Sequence, residues 1–390
     1  MASDGPRPRA DWSSLPPELV SLLSQCLSSV ADFIRFRAVC SSWRSAASPR
    51  FLPPSFPWLA FPSIDGDGVH SGLRPVQPPT FKFLAVSNGK IFKPTLPDSV
   101  RNKQFYGSAG GWLVMRGKGP LSSATTLLNP INGAEIELPP LKTYPVHCAG
   151  LESSFYIKKI SISFPISVGR VSALAILGWS SQIALARPGA DEWMTIGVSS
   201  NYHDALFYRG RFHIVDGFRR VFSCDEGDCS GPRLVEIVRL ASPPRVPLLS
   251  RGERFYLVES DGELLLVIRH FDGSLMGDVK VVKTTKFEVF RVDIDDQPSW
   301  VEVRNLGNRA LFLGLNRPIS LCSSDHPGCR ENCIYFVDDM LNYMGDISYG
   351  NLDAGMFNLA DGSMELFSCY AGDSTPYVRP PPLWLSPSLL

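Results

Sequence analysis

The chain has 390 residues, 44% of them hydrophobic, with 38 basic and 38 acidic side chains. This is longer than one small domain, and the apolar content supports a sizeable core. Balanced charge gives no footing for a nucleic-acid or membrane-surface partner held by net charge, and no apolar run is long enough to span a bilayer.

Residues 1–10, MASDGPRPRA, have no apolar core after their charges and read as a disordered tail, not a secretory signal. Residues 11–50 read as a small all-helical unit. Pro16 and Pro17 suit a first helical turn, where N–H groups lack internal partners, and Glu18 places negative charge there. Leu19, Leu22, Leu23, Cys26 and Leu27 follow at helical spacing and form one apolar face. Ser28 and Ser29 break that pattern and offer an N-cap to a second helix holding Phe33, Ile34 and Phe36. Val39, Cys40 and Trp43 carry the pattern on until Pro49 stops it. So short a unit buries little core by itself.

Residues 51–74 read as a proline-rich connector, since Pro53, Pro54, Pro57 and Pro62 forbid a regular helix. A fragment starting near Pro75 is therefore expected to fold alone. From 75 to 380 the pattern is that of strands. FKFLAVSNGKIFK alternates around Asn88-Gly89, a hairpin signal, and GGWLVM reads as a buried strand. Strand–turn–strand units recur near Asn132, Gly189, Asp295 and Asp361, with one gap about twice the others. An all-β chain with a degenerate repeat of this kind points to a β-propeller of about six or seven four-stranded blades; the other solution is a large β-sandwich. Trp193 and Trp300 each follow an acidic turn and are expected to be buried between neighbouring sheets.

LPPEL followed by DFIRFRAVCSSWR resembles the F-box, the module that docks substrate receptors on the Skp-type adaptor of a cullin-RING ubiquitin ligase. The match lies on Leu15, Pro16, Glu18, Leu19, Val39, Cys40, Trp43 and Arg44. GGWLVM, LLNPINGAEIELP, YLVESDGELLLV, WVEVRNLGNRALFLG, PGCRENCIYFVDD and the terminal PPPLWLSPSL resemble plant F-box proteins with a KIB-type β-propeller. The resemblance implies a substrate-recognition subunit of an SCF-type ligase. Leu15, Pro16, Leu19, Val39, Cys40 and Trp43 would bind the adaptor, and the propeller would recruit a target protein. Two other roles share features of this sequence: an adaptor-bound scaffold or regulator outside a ligase, and a propeller enzyme or small-ligand binder.

No catalytic, metal or cofactor site is expected. There is no GxSxG elbow, HExxH or P-loop. Cys322, His326, Cys329 and Cys333 bring zinc-type ligands close in sequence, but without the paired doublets of a structural site. Asp293, Asp295, Asp296, Asp338 and Asp339 read as solvated turns. Basic runs such as Lys158-Lys159 and Arg219-Arg220 are too short for a nucleic-acid footprint. Nine cysteines, an odd number, and no leader point to reduced thiols and a cytoplasmic or nuclear location.

Overall fold

The structure, a computed structural model, describes residues 11–63, 80–86, 89–93, 97–100, 103–117, 124–140, 157–163, 166, 171–177, 182–187, 189–197, 201–225, 232–240, 251–276, 279–295, 298–339, 353–367 and 382–389. Asn88 and Asp296 fall outside them, as do residues 1–10.

Three helices come first: α1 (Pro17–Gln25), α2 (Val30–Arg37) and α3 (Ser41–Ala46). Each start has a local cause. Pro16 and Pro17 open α1, Ser29 caps α2 by accepting from Asp32 N, and the Cys40 thiol accepts from Trp43 N at the start of α3. Arg37 reaches back to the Ala47 carbonyl and ties α2 to the end of α3.

Strands follow in six sheets arranged as a ring of blades. Blade 1 joins β1 (Trp58–Ser63), β2 (Thr80–Ala85) and β3 (Lys90–Phe92) to the last strand of the chain, β25 (Leu383–Leu385). Blade 2 is β4 (Lys103–Ala109), β5 (Trp112–Gly117), β6 (Ala124–Leu128) and β7 (Glu135–Pro140). Blade 3 is β8 (Ile157–Ile162), β9 (Ala173–Leu177), β10 (Gln182–Ala186) and β11 (Met194–Gly197). Blade 4 is β12 (Tyr202–Tyr208), β13 (Arg211–Asp216), β14 (Arg220–Asp225) and β15 (Arg233–Arg239). Blade 5 is β16 (Arg251–Ser260), β17 (Glu263–Met276), β18 (Val279–Asp293) and β19 (Ser299–Glu302). These five sheets are antiparallel throughout.

Blade 6 departs from the plan. It holds β20 (Arg309–Leu313), β21 (Ile319–Cys322), β22 (Cys333–Phe336), β23 (Gly355–Asn358) and β24 (Met364–Leu366), in the order β21-β20-β22-β23-β24. β20 and β22 run parallel. The six sheets fall within the six or seven blades expected. A ring suits such strands because each sheet buries both faces against its neighbours, and the edges left are short.

Turn chemistry follows the sequence. At Asp261-Gly262 and Arg209-Gly210 both residues have positive φ, which a tight two-residue hairpin needs. Core clusters lie between blades. One packs Trp112, Leu138, Ile160 and Trp193 between blades 2 and 3, and another packs Tyr256, Phe287, Phe336 and Phe357 between blades 5 and 6.

Two boundaries move. The connector assigned to 51–74 supplies β1, which pairs with β2 along its whole length, so blade 1 begins inside it. The propeller also runs past residue 380, since β25 closes blade 1. A fragment from Pro75 would lack β1 and should not fold as an intact ring. The helical unit is not detached either. Val30 lies in one core cluster with Trp58, Phe83 and Leu113, and Ile34 and Leu52 pack against it.

The tryptophans divide. Trp193 is buried and donates from Nε1 to the Pro139 carbonyl at 2.7 Å, linking blades 3 and 2. Trp300, in β19, is only half-buried at the rim of the cluster between blades 4 and 5. We expect Trp193→Ala to cost about 3–5 kcal/mol, as for a large core truncation. Trp300→Ala should cost less, about 2 kcal/mol, because less apolar area leaves water. Thermal denaturation of the two variants checks the order.

Candidate functional site: the open face of the helical unit

α1 buries the side opposite to the one its apolar pattern suggests. Val20 and Ser24 are fully buried, whereas Leu19, Leu22 and Leu23 are 48%, 59% and 46% exposed. The reason is packing: α3 lies against α1 and α2, and α2 lies on the blade 1 cluster through Val30. Val39, after α2, is 57% exposed, and Trp12, in the single turn before α1, is 64% exposed. The result is an apolar surface on a unit whose other side is anchored. Singly exposed leucines are ordinary, but Leu19, Leu22 and Leu23 share one face of α1, and exposed apolar side chains grouped in this way mark protein interaction sites.

The expected adaptor residues are not alike. Leu19 and Val39 are open, Pro16 is exposed, and Leu15 is half-buried. Cys40 and Trp43 do structural work as well. Cys40 caps α3 through its sulfur. The Trp43 ring sits 4.3 Å from the Phe36 ring, centroid to centroid, and its Nε1 donates to the Trp12 carbonyl at 3.1 Å. Leu22, Leu23 and Trp12 join the exposed surface although the sequence reading did not select them for it. The signal was present in the periodic leucines, read there as one apolar face.

The other chemical candidates resolve individually. His326 Nδ1 lies 2.9 Å from the Cys322 carbonyl, so the ring is used in the loop that follows β21. Burial pushes the Cys329 thiol up to about 11, away from the thiolate that a metal prefers. No group of three or more metal-ligating side chains gathers among the described residues. Asp295 pairs with Arg209 at 3.2 Å on the surface. Asp339 corrects its expectation: it is fully buried and accepts from Tyr256 and Arg269. No helix among the described residues is long and apolar enough to cross a membrane.

Fold and surface together define a class: a six-bladed propeller bearing a docked helical unit with an exposed apolar face. The KIB1-4 beta-propeller family matches residues 83–358, more than half of the chain. The chain belongs to the plant F-box proteins with a C-terminal propeller of this KIB type. F-box protein SKIP23 of Arabidopsis thaliana is 27% identical, with 96% of each chain covered. F-box protein At2g17036 of the same plant is 26% identical over 97% of this chain and 95% of its own. F-box protein At2g26160, also from Arabidopsis thaliana, is 24% identical over 85% of this chain and 97% of its own.

Proposed function

We propose that this chain is the substrate-recognition subunit of an SCF-type ubiquitin ligase. The α1–α3 unit docks on a Skp-type adaptor and through it on a cullin-RING ligase, and the propeller recruits a target protein. The carrying observation is the open apolar surface of Leu19, Leu22, Leu23 and Val39 on a unit fixed to blade 1 by its opposite side. The action is proximity. Holding a target near the charged conjugating enzyme raises the effective concentration for transfer, and this chain forms no covalent bond itself. A helical unit anchored to the ring suits that role better than a flexible tether, because the target is then held at a defined distance. The proposed setting is the cytoplasm or nucleus.

A ubiquitylation assay separates this reading from that of a scaffold bound to the adaptor. Deleting residues 11–50 is a poor control, because Val30 and Ile34 pack on the propeller. A surface variant, Leu19→Ala with Val39→Ala, is the better one. Loss of apolar hot-spot contacts should weaken adaptor binding about thirtyfold, roughly 2 kcal/mol. Target ubiquitylation should fall in step while the melting temperature holds. Full adaptor binding in that variant would overturn the interface.

A further inference from the structure

The two faces of the ring are not alike. Its inner strands β25, β4, β8, β12 and β16 lie side by side around the centre. β8 and β12 start at one face, where Lys158 Nζ lies 3.3 Å from Asn201 Oδ1. β12 and β16 end at the other, where the Tyr208 hydroxyl donates to the Gly262 carbonyl at 2.7 Å. β25 ends on that second face too: its last residue, Leu385, pairs with Trp58, where the helical unit leads into β1. The tail beyond passes Gly111, at the end of β4. The helical unit and the tail therefore share one face and leave the other clear. The centre is filled by the chain itself: Lys159 Nζ is 2.9 Å from Asp204 Oδ1 and donates to the Asn316 carbonyl at 2.7 Å, and Arg317 N donates to the Ser108 carbonyl.

On the clear face, blades 4 and 5 differ in height. In blade 4, β13 and β14 are joined by the tight turn Asp216–Arg219. In blade 5 the same connection is long. β16 pairs only as far as Asp272, whereas β17 and β18 stay paired out to Met276↔Val279. The ribbon thus rises roughly 13 Å past the sheet, at 3.3 Å per residue. A belt of charges ties its root to the blade 4 turn. Arg219 Nη2 is 2.6 Å from Glu253 Oε1, and Glu253 is 3.5 Å from His270 Nδ1. His270 Nε2 is 2.6 Å from Glu288 Oε2, and Lys286 donates to Glu288 at 2.9 Å. Every acid of the belt is matched by a base, so this floor is close to neutral. Two residues further out along β17, on the same side of the ribbon, comes the facing pair Asp272↔Lys283. Lys283 is exposed and makes no ion pair among the described residues.

The blade 4 turn is held from several sides. The buried Asp216 carboxylate accepts from Phe218 N at 2.9 Å, Arg220 N at 2.9 Å and Arg220 Nε at 2.6 Å. Gly217 N donates to the Asn201 carbonyl at 2.7 Å. Arg219 sits at φ +62°, a conformation costly for a side chain other than glycine, and its guanidinium is the one fixed to Glu253. Yet Phe218, at the tip, is 56% exposed. The Arg220 guanidinium lies over its ring, 5.4 Å from the centroid, and over that of Phe222 at 5.2 Å. A single exposed apolar side chain is ordinary. Phe218 differs in being presented on a rigid turn with one ring face already stacked on a cation. The tight turns of the opposite face carry Arg209 and Asp261 at the matching place.

We propose that the end of blade 4, with Phe218 as anchor and the blade 5 ribbon as its wall, is the surface on which the target protein docks. An aromatic ring beside an arginine is the composition of a binding hot spot, and a side chain held in place beforehand loses little freedom on binding. The anchor is convex, so the partner is a folded protein that offers an apolar pocket; an extended peptide has none to offer. Lys283, the cation left over beside a neutral floor, calls for a carboxylate at the rim of that pocket. The target's docking here rests on the receptor role proposed above, although the contact itself needs no adaptor. With the helical unit on the opposite face, adaptor and target bind without competing.

Photo-crosslinking in the full-length chain tests it. In plant cells, p-benzoylphenylalanine in place of Phe218 is compared with the same group in place of Ile91, an equally exposed residue of blade 1. A protein captured at position 218 and not at 91 is then purified and titrated against wild type, Phe218→Ala and Lys283→Glu. We expect Phe218→Ala to weaken its binding about tenfold or more, as at a hot spot, and Lys283→Glu to weaken it less. Melting temperature and adaptor binding should hold in both variants. No capture beyond that at position 91, no binding of the captured protein to wild type, or equal binding by a folded Phe218→Ala protein overturns the docking surface. Ubiquitylation of the captured protein, compared between wild type and Leu19→Asp, reads the ligase role separately. Equal ubiquitylation in the two, with binding still lost in Phe218→Ala, removes that role and leaves the docking surface standing.

Discussion

Ending the chain after Pro382 should leave a protein with no cooperative thermal transition. The segment removed holds β25, which pairs with β1 through Trp58↔Leu385, Leu59↔Trp384 and Ala60↔Leu383. Leu383, Trp384 and Leu385 are all fully buried. The Trp384 ring meets Phe56, Phe312, Tyr335 and Phe367, which joins blade 1 to blade 6. Its carbonyl accepts from Ser108 Oγ in blade 2, and the tail beyond is tied down by Asn129 Nδ2 on the Ser388 carbonyl at 2.9 Å. Gly111, at φ +87°, lets that tail pass, since a side chain there would run into Ser388. Truncating one Trp and two Leu of this kind costs about 7 kcal/mol or more, against about 5–15 kcal/mol for a whole domain. The opened ring would also bare an edge of β1 and should aggregate. Trp384→Ala alone should fold and lose about 3–5 kcal/mol. A melting curve for the shortened chain that matches the full chain would mean the ring is not closed in this way.

Arg269→Met should cost about 3–5 kcal/mol, because it strands buried carboxylates. The guanidinium is almost wholly buried between blades 5 and 6. Nε donates to Thr284 Oγ1 at 2.7 Å, Nη1 to the Val337 carbonyl at 3.0 Å, and Nη2 to Asp353 Oδ2 at 2.9 Å. Asp339 lies 3.3 Å from Nη1 and also accepts from Tyr256 at 3.0 Å. Neighbouring Tyr256, Asp339 and Asp353 hold the Arg269 pKa above its ordinary value even though burial opposes this. Removing the cation takes Arg269 from Asp353 and leaves Asp339 with Arg254, at 3.5 Å, in a dry place. Adding Asp353→Asn to Arg269→Met should therefore recover part of the loss, a coupling expected within one network. Denaturant unfolding of the single and double variants measures it. Strictly additive losses would show that the two groups do not support each other.

The legible part of the fold was local. Outer hairpins of blades 2, 3, 5 and 6 announce themselves through the turns near Asn132, Gly189, Asp295 and Asp361. The doubled gap is blade 4, whose outer pair, β14 and β15, is joined through the acidic DEGDCSGP stretch that the repeat left out. β1 and β25 were hidden for a different reason. Each is short and bordered by prolines, and each gains its structure from a partner at the other end of the chain. The F-box residues were legible as a motif, but which side of α1 stays open depends on how α2 and α3 pack beneath it. Buried charge was the least visible feature. Lys159, Asp204, Arg269 and Asp339 look like surface residues in sequence, and only the ring brings them together.

In the proposed role the helical unit holds an adaptor while the propeller that anchors it stays folded. Its most direct test is co-purification of the full chain with a purified Skp-type adaptor, in wild type and in Leu19→Asp, with melting curves for both. We expect a stable complex with wild type, no complex with Leu19→Asp, and superimposable melting. No complex with any Skp-type adaptor, or an undiminished complex with folded Leu19→Asp, would contradict it.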